Sequence, residues 1–183
     1  MNREGTRRSS RKVRADHELA LDVYDQPGHL IRRAQQIAVS MFLRIIGPDV
    51  TPIQYCFLRV LQEHPGADQV TLARLCALDT STAADLAVRL EERGLVVRMM
   101  PMKSKRFRLL HLTPQGAALL NKVVPSTRLL SRRLLRALNK KEQKVFLHLL
   151  KKFVHVNNDQ SRAPLDRRPA GSRNNSHSDA RRP

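Results

Sequence analysis

From residue 28 onward the apolar positions recur every three to four residues, the period of a helix that buries one face. In GHLIRRAQQIAVSMFLRIIG, Leu30, Ala34, Ile37, Met41 and Ile45 keep that spacing, with Ile31, Ala38 and Phe42 beside them. This predicts one long helix with a wide apolar face, stopped by Gly47-Pro48. Thr51-Pro52 predicts the start of a second helix, because threonine caps free amides and proline suits the first turn. Its apolar positions are Ile53, Cys56, Phe57, Val60 and Leu61, and it ends before His64-Pro65-Gly66.

A short helix follows near 70–77, with Leu72, Leu75 and Cys76 inward. The break falls at Leu78-Asp79-Thr80, and the next helix covers about 81–93. Gly94 ends it by supplying a left-handed residue. Two strand-like runs, 95–100 and 107–112, are joined by the basic segment MKSKR. Thr113-Pro114 caps a helix that continues through Leu120, Val124, Leu130, Leu134 and Leu138, with a kink expected at Pro125. A last helix, about 140–156, carries Val145, Phe146, Leu149, Leu150 and Phe153. The order predicts a mainly α fold with a small β-hairpin: a winged helix-turn-helix, with the helix-turn-helix at 70–93 and the hairpin as its wing. The regions 30–45 and 130–153 are too apolar to stay exposed on a monomer, so a homodimer is expected. The expected organisation is a tail at 1–16, a dimerisation helix region at 17–50, a DNA-binding lobe at 51–112, dimerisation helices at 113–158 and a second tail at 159–183.

Charge sharpens this picture. The 183 residues include 34 Lys and Arg against 16 Asp and Glu, a formal charge of +18, which points to a polyanionic partner. Both tails are basic and poor in apolar residues, and both read as disordered, since neither can bury enough area to offset ordering entropy. They serve either DNA attraction or solubility alone. No apolar run is long enough to cross a membrane, and the basic N-terminus lacks the apolar stretch of a secretory signal. Cys56 and Cys76 sit in apolar patterns and read as two small buried residues in a reducing cytoplasm. The chain shows no GxSxG, P-loop, HExxH or paired-cysteine motif, and His148 and His155 are not spaced as a helical metal pair. An enzyme is therefore not expected, nor is a metal or cofactor. Few aromatics argue against stacking on RNA.

On the helix from Ser81, the residues Ala83, Leu86, Ala87 and Leu90 share a packing face. The first turn of a recognition helix is the part that reaches base edges. Thr80, Ser81 and Thr82 are small hydroxyl residues that allow close approach and hydrogen bonds to bases or phosphates. Arg89, one turn on, reaches phosphate. Asp85 either accepts from a cytosine amino group or completes a cap with Thr82. In the wing, Lys103, Lys105, Arg106 and Arg108 lie close together with no acid among them, which suits the phosphate backbone or a minor groove.

The stretch LARLCALDTSTAADLAVRLEERGLVVR resembles the helix-turn-helix and first wing strand of the MarR family of bacterial regulators. LLHLTPQGAALL resembles the family's second wing strand running into its fifth helix, and TPIQYCFLRVLQEHPG its second helix. The resemblance implies a triangular homodimer with intertwined terminal helices, repression of transcription, and release from a pseudo-palindromic operator by a small aromatic acid. Two departures stand out. Pro101 occupies the position where the family wing has an acid, with Lys103 for a common arginine and Arg106 retained. Asp85 stands where many members have a basic or polar residue. DQPGHLIRRAQQIAV resembles a subgroup controlling breakdown of aromatic and N-heteroaromatic carboxylic acids, of nicotinate or coumarate type. The family's pocket would then draw on His29, Arg32 and Arg33 of the first helix, Tyr55 of the second and Arg98 of the wing base. A planar acid needs a cation for its carboxylate and apolar walls for its ring. Each arginine has a plainer alternative, a surface or dimer salt bridge. A non-sensing architectural DNA-binding protein is the rival function.

Overall fold

The computed structural model describes residues 22–100 and 108–167. Among these residues, six helices and one hairpin follow in the predicted order. Helix α1 is Pro27–Ile46, and the N–H of Gly47 closes it on Leu43 O. Helix α2 is Pro52–Glu63, opened by a reciprocal cap: the Thr51 hydroxyl accepts from Gln54 N–H, and the Gln54 side chain accepts from Thr51 N–H. Helix α3 is Gln69–Leu75, α4 is Thr80–Glu92, β1 is Val96–Met99 and β2 is Leu109–Leu112. Helix α5 is Pro114–Leu134 and α6 is Lys140–Val156, followed by a 3-10 turn at Asn158–Gln160.

The two strands are antiparallel, with Val96 opposite Leu112 and Met99 opposite Leu109. The segment before α3 extends the sheet, since Gly66 N–H donates to Leu110 O and Leu110 N–H to Ala67 O. The core joins α2, α3, α4, the hairpin and the first half of α5 through Phe57, Leu58, Leu61, Leu72, Leu86, Leu90, Val96, Leu110 and Leu120. Helix α1 packs along α5 and contributes Phe42 to that core. Helix α6 buries none of its residues. Its Val145, Phe146, Leu149, Leu150 and Phe153 all lie exposed, as do Leu30, Ile31 and Ile37 of α1.

Several details depart from the sequence reading. Helix α5 runs unbroken through Pro125 and stops at Leu134, so Leu138 lies in the connection to α6. That connection is held by the Gln143 amide, which donates to the carbonyls of Leu135 and Leu138. Helix α3 ends two residues early, because Ala77 adopts a left-handed conformation with φ 53°. Residues 159–167, expected as disordered tail, are packed: Asn158 and Leu165 bond reciprocally, and Asp166 reaches Arg74 of α3. The segment's own composition did not require order; its partners on α3 and α6 supply it.

The join between wing and dimer helices is unusually close. Thr113 donates its hydroxyl to Gly94 O (2.6 Å) and accepts from Gly116 N–H (3.0 Å). A Cβ on Gly116 would lie 2.1 Å from Leu95 O, which is backbone and cannot swing away. Gly116→Ala is therefore expected to destabilise the fold by about 1–3 kcal/mol despite alanine's better helix propensity. Chemical unfolding at fixed protein concentration checks this.

Candidate nucleic-acid interface and ligand site

Helices α3 and α4 form the helix-turn-helix. Asp68 caps α3 by accepting from Thr71 N–H (2.7 Å). The left-handed Ala77 reverses the chain, and Leu78 N–H donates back to Ala73 O (2.8 Å). Helix α4 then begins behind Asp79, which accepts from Thr82 N–H (2.8 Å). The same carboxylate accepts from the hydroxyls of Ser81 (2.6 Å) and Thr82 (2.8 Å). These donors, led by the Ser81 hydroxyl, hold the Asp79 carboxyl well below the usual carboxylate range. A charged Asp79 also suits the positive end of the α4 dipole.

This changes the roles of the predicted contacts. Ala83, Leu86, Ala87 and Leu90 are buried as expected, and Thr80, Ser81, Thr82, Asp85 and Arg89 all face solvent. The Ser81 and Thr82 hydrogens, however, are already given to Asp79, so these oxygens meet a partner as acceptors. The expected cap between Thr82 and Asp85 does not form, because Asp79 occupies that role one turn earlier. Asp85 is left as an exposed acceptor on the face it shares with Thr82 and Arg89.

At the wing base, Arg108 is exposed beside β2. Lys103, Lys105 and Arg106 lie outside the described residues. Arg98, expected at the ligand site, is instead gripped by Glu91 of α4. Glu91 accepts from Arg98 Nε (2.6 Å) and from Arg98 N–H (3.2 Å), fixing both the side chain and the strand. Its carboxyl is held below the ordinary value, first by the Arg98 side chain, with Arg108 adding a weaker attraction. The cation of Arg98 is thus neutralised, and the residue staples the wing to the recognition helix. Glu91 escaped the sequence reading because nothing in a helix-to-strand spacing marks such a pair.

The other ligand candidates lie on α1 and α2. His29 is half-buried, with its ring edge-on to Tyr24 (centroids 5.6 Å apart). Arg32 is exposed and donates to Gln36 (3.0 Å), and Arg33 is exposed beside it. Tyr55 is half-buried, 6.0 Å from the ring of Phe42 on α1. The contacts these residues make are with neighbours of their own and not with one another. Tyr55 and Phe42 nevertheless form an aromatic wall where α1 meets α2.

The cysteines also differ from expectation. Cys56 is exposed and Cys76 only half-buried, and the two thiols, on α2 and at the end of α3, act on each other's ionisation. The Cys76 S–H stabilises a Cys56 thiolate, lowering Cys56 to about 7 and pushing Cys76 up. Iodoacetamide should accordingly modify Cys56 with a rate that rises through a midpoint near 7, followed by mass spectrometry. In Cys76→Ala the midpoint should climb toward the usual thiol value; an unchanged midpoint would contradict the pairing.

A family model described as MarR family matches residues 49–100. The chain is 34% identical over 134 residues to the HTH-type transcriptional repressor NicR of Pseudomonas putida, covering 73% of this chain and 85% of that protein. Its fold matches the PcaV transcriptional regulator of Streptomyces coelicolor, solved with its natural ligand, at a TM-score of 0.69 and 31% identity over 74% of this chain and 96% of that one. It also matches Bordetella bronchiseptica BpsR, solved to explain regulation of DNA binding by 6-hydroxynicotinic acid, at a TM-score of 0.64 and 32% identity over 70% and 98%. The winged helix-turn-helix, the helices that flank it and these likenesses agree: the chain belongs to the MarR family of transcription regulators, which bind DNA and are not enzymes.

Proposed function

We propose that the chain is a homodimeric repressor that leaves a pseudo-palindromic operator when a small aromatic carboxylate binds. The observation that carries the DNA reading is α4, which buries Ala83, Leu86, Ala87 and Leu90 and turns Thr80, Ser81, Thr82, Asp85 and Arg89 outward. Small residues at its first turn let that turn approach base edges, while Arg89 and Arg108, with Lys103, Lys105 and Arg106 at the wing tip, engage phosphates. The +18 charge draws the duplex in. Regions 17–50 and 113–158 form the dimer, and 51–112 the DNA-binding lobe. Two such lobes read half-sites about 10 bp apart or a multiple of it. The setting is the cytoplasm, at the nucleoid.

The effector reading rests on relatives. NicR is a repressor, and BpsR is described through 6-hydroxynicotinic acid. A nicotinate-type or coumarate-type acid would set its ring against Tyr55 and neighbouring apolar residues and its carboxylate near Arg32 or Arg98, with Arg33 and His29 adjoining. Glu91 already holds Arg98, so an acid at Arg98 would share that cation with Glu91. A ligand wedged between the dimer helices and the lobe releases DNA only if it prefers the DNA-incompetent lobe spacing.

Calorimetry with hydroxylated nicotinic and cinnamic acids, with and without an operator selected from random duplexes, tests this. Operator should weaken the ligand by roughly 5–150-fold, and the ligand should weaken operator equally, because coupling is reciprocal. Arg32→Ala should lose most of the ligand affinity while keeping operator binding. Equal ligand affinity in both titrations, or no binding of any acid, would leave an architectural DNA-binding protein.

A further inference from the structure

Most of the charge in the folded part of the chain lies away from the recognition helix. Across 51–100, which hold the helix-turn-helix and β1, five arginines stand against six Asp and Glu. Across 114–156, which hold α5, α6 and their connection, ten Lys and Arg stand against one acid, Glu142. Glu142 is committed to the start of α6, where its carboxylate accepts from Asn139 N–H (2.7 Å). Lys122 is paired with Asp49. The other nine cations make no ion pair among the described residues.

These cations fall in a pattern. Arg128, Arg132, Arg133 and Arg136 are exposed over the last turns of α5 and just past its end. The Gln143 amide ties that end to α6 by donating to Leu135 O and Leu138 O, and Lys140 and Lys141 open α6 directly after. At 3.6 residues per turn, Lys140, Lys141, Lys144, Lys151 and Lys152 share about a third of the α6 circumference over a length of about 18 Å. Val145, Phe146, Leu149, Leu150 and Phe153 take the opposite side. A face charged for solubility alone gains from acids interleaved at i,i+4. Here Lys140 and Lys144 are like charges at that spacing, which weakens a helix.

Arg128 lies 14 residues into α5 from Pro114 at the wing, about 21 Å along the axis, and the later arginines lie farther. Salt screens exposed charges beyond about 8 Å, so these cations share in drawing a duplex closer but release no counterions from one seated at the wing. A polyanion that they neutralise must lie against α5 and α6 themselves.

We propose that the α5–α6 connection and the lysine face of α6 hold the phosphate backbone of a second duplex segment while α4 and the wing hold the operator. The proposal rests on the DNA-binding reading above. The surface suits a backbone and not base edges, because it is a row of long flexible cations with no Phe, Tyr or Trp on that side of α6. Once an operator is held, other segments of the same DNA are present at high effective concentration, so weak phosphate contacts suffice to bridge them. An anionic lipid surface fits less well, because the apolar side of α6 that would enter it is the side covered in the proposed dimer.

The test uses the full chain and two variants of it. One carries Lys140→Gln, Lys141→Gln, Lys144→Gln, Lys151→Gln and Lys152→Gln; the other carries Arg132→Gln, Arg133→Gln and Arg136→Gln. An operator selected from random duplexes is fixed to beads, loaded with protein and washed, and a longer fluorescent duplex without operator is added. The unmodified chain should retain that duplex, and each variant should retain it at least about tenfold less while binding operator in solution within about twofold of the unmodified chain. Circular dichroism should be unchanged, and either variant that folds decides the matter. No retention by the unmodified chain overturns the proposal, as does retention undiminished in a folded variant. A variant whose operator affinity falls as far as its retention overturns it too, since those cations then serve the operator itself. Loaded beads are also offered phosphatidylserine vesicles and polyglutamate; tighter capture of either than of duplex, at equal charge, overturns the choice of partner. If no operator can be selected, the DNA reading fails and the proposal falls with it; an operator bound normally without a retained second duplex overturns the proposal alone.

Discussion

Helix α6 is amphipathic and yet buries nothing within its own chain. Phe146 and Phe153 are 44% and 48% exposed, with Leu149 and Leu150 beside them, and α1 adds Leu30, Ile31 and Ile37. Apolar area in water is disfavoured by roughly 25 cal/mol per Å², and contiguous patches of this kind are rare on monomers. In the proposed homodimer these faces would meet a second copy of the chain, and a two-fold contact would satisfy both copies at once. The position of the DNA-binding lobes would depend on that contact. Helix α5 lies against α1 and is joined to the wing through Thr113 and Gly116, packed so closely that no side chain fits. Helix α1 is thereby joined through α5 to the lobe that would meet DNA, so a shift of α1 at a partner would change the lobe spacing.

Within the lobe, two carboxylates organise the surface of the helix-turn-helix and wing. Asp79 gathers the first turn of α4, and Glu91 pins Arg98 and hence β1 to the same helix. Neither attracts DNA. Each spends its charge on geometry, one fixing where the recognition helix begins and the other the angle at which the wing leaves it. Attraction comes from the excess of Lys and Arg over the whole chain. Order and charge are thus supplied by different residues, and a substitution at Glu91 would disturb the wing without altering the long-range field much.

Much of this was legible in the sequence, for local reasons. The helical period marked α1, α2, α5 and α6; Thr51 and Thr113 marked the starts of α2 and α5, and Gly94 the end of α4, because each satisfies or accommodates backbone groups that a helix end leaves free. Where several residues can play one role, the sequence does not choose. In Asp79-Thr80-Ser81-Thr82 every residue is a capable cap, and only the extended backbone of Asp79 (φ −67°, ψ 156°) decides it. Contacts between distant segments were invisible: Glu91 with Arg98 crosses a helix-to-strand turn, Cys56 meets Cys76 across two helices, and Asp166 meets Arg74 from the far end of the chain. Residues 159–167 looked like tail because their own composition buries little, and their order is borrowed from α3. The expected contacts at Lys103, Lys105 and Arg106 fall outside the described residues.

If a second copy completes the exposed faces of α1 and α6, the chain is a dimer in solution. Sedimentation velocity of the full chain at low micromolar concentration measures this directly. A single species of twice the 20.9 kDa chain mass is expected, which Phe146→Glu combined with Phe153→Glu converts to folded monomer. A stable monomer of the unmodified chain at that concentration would contradict it.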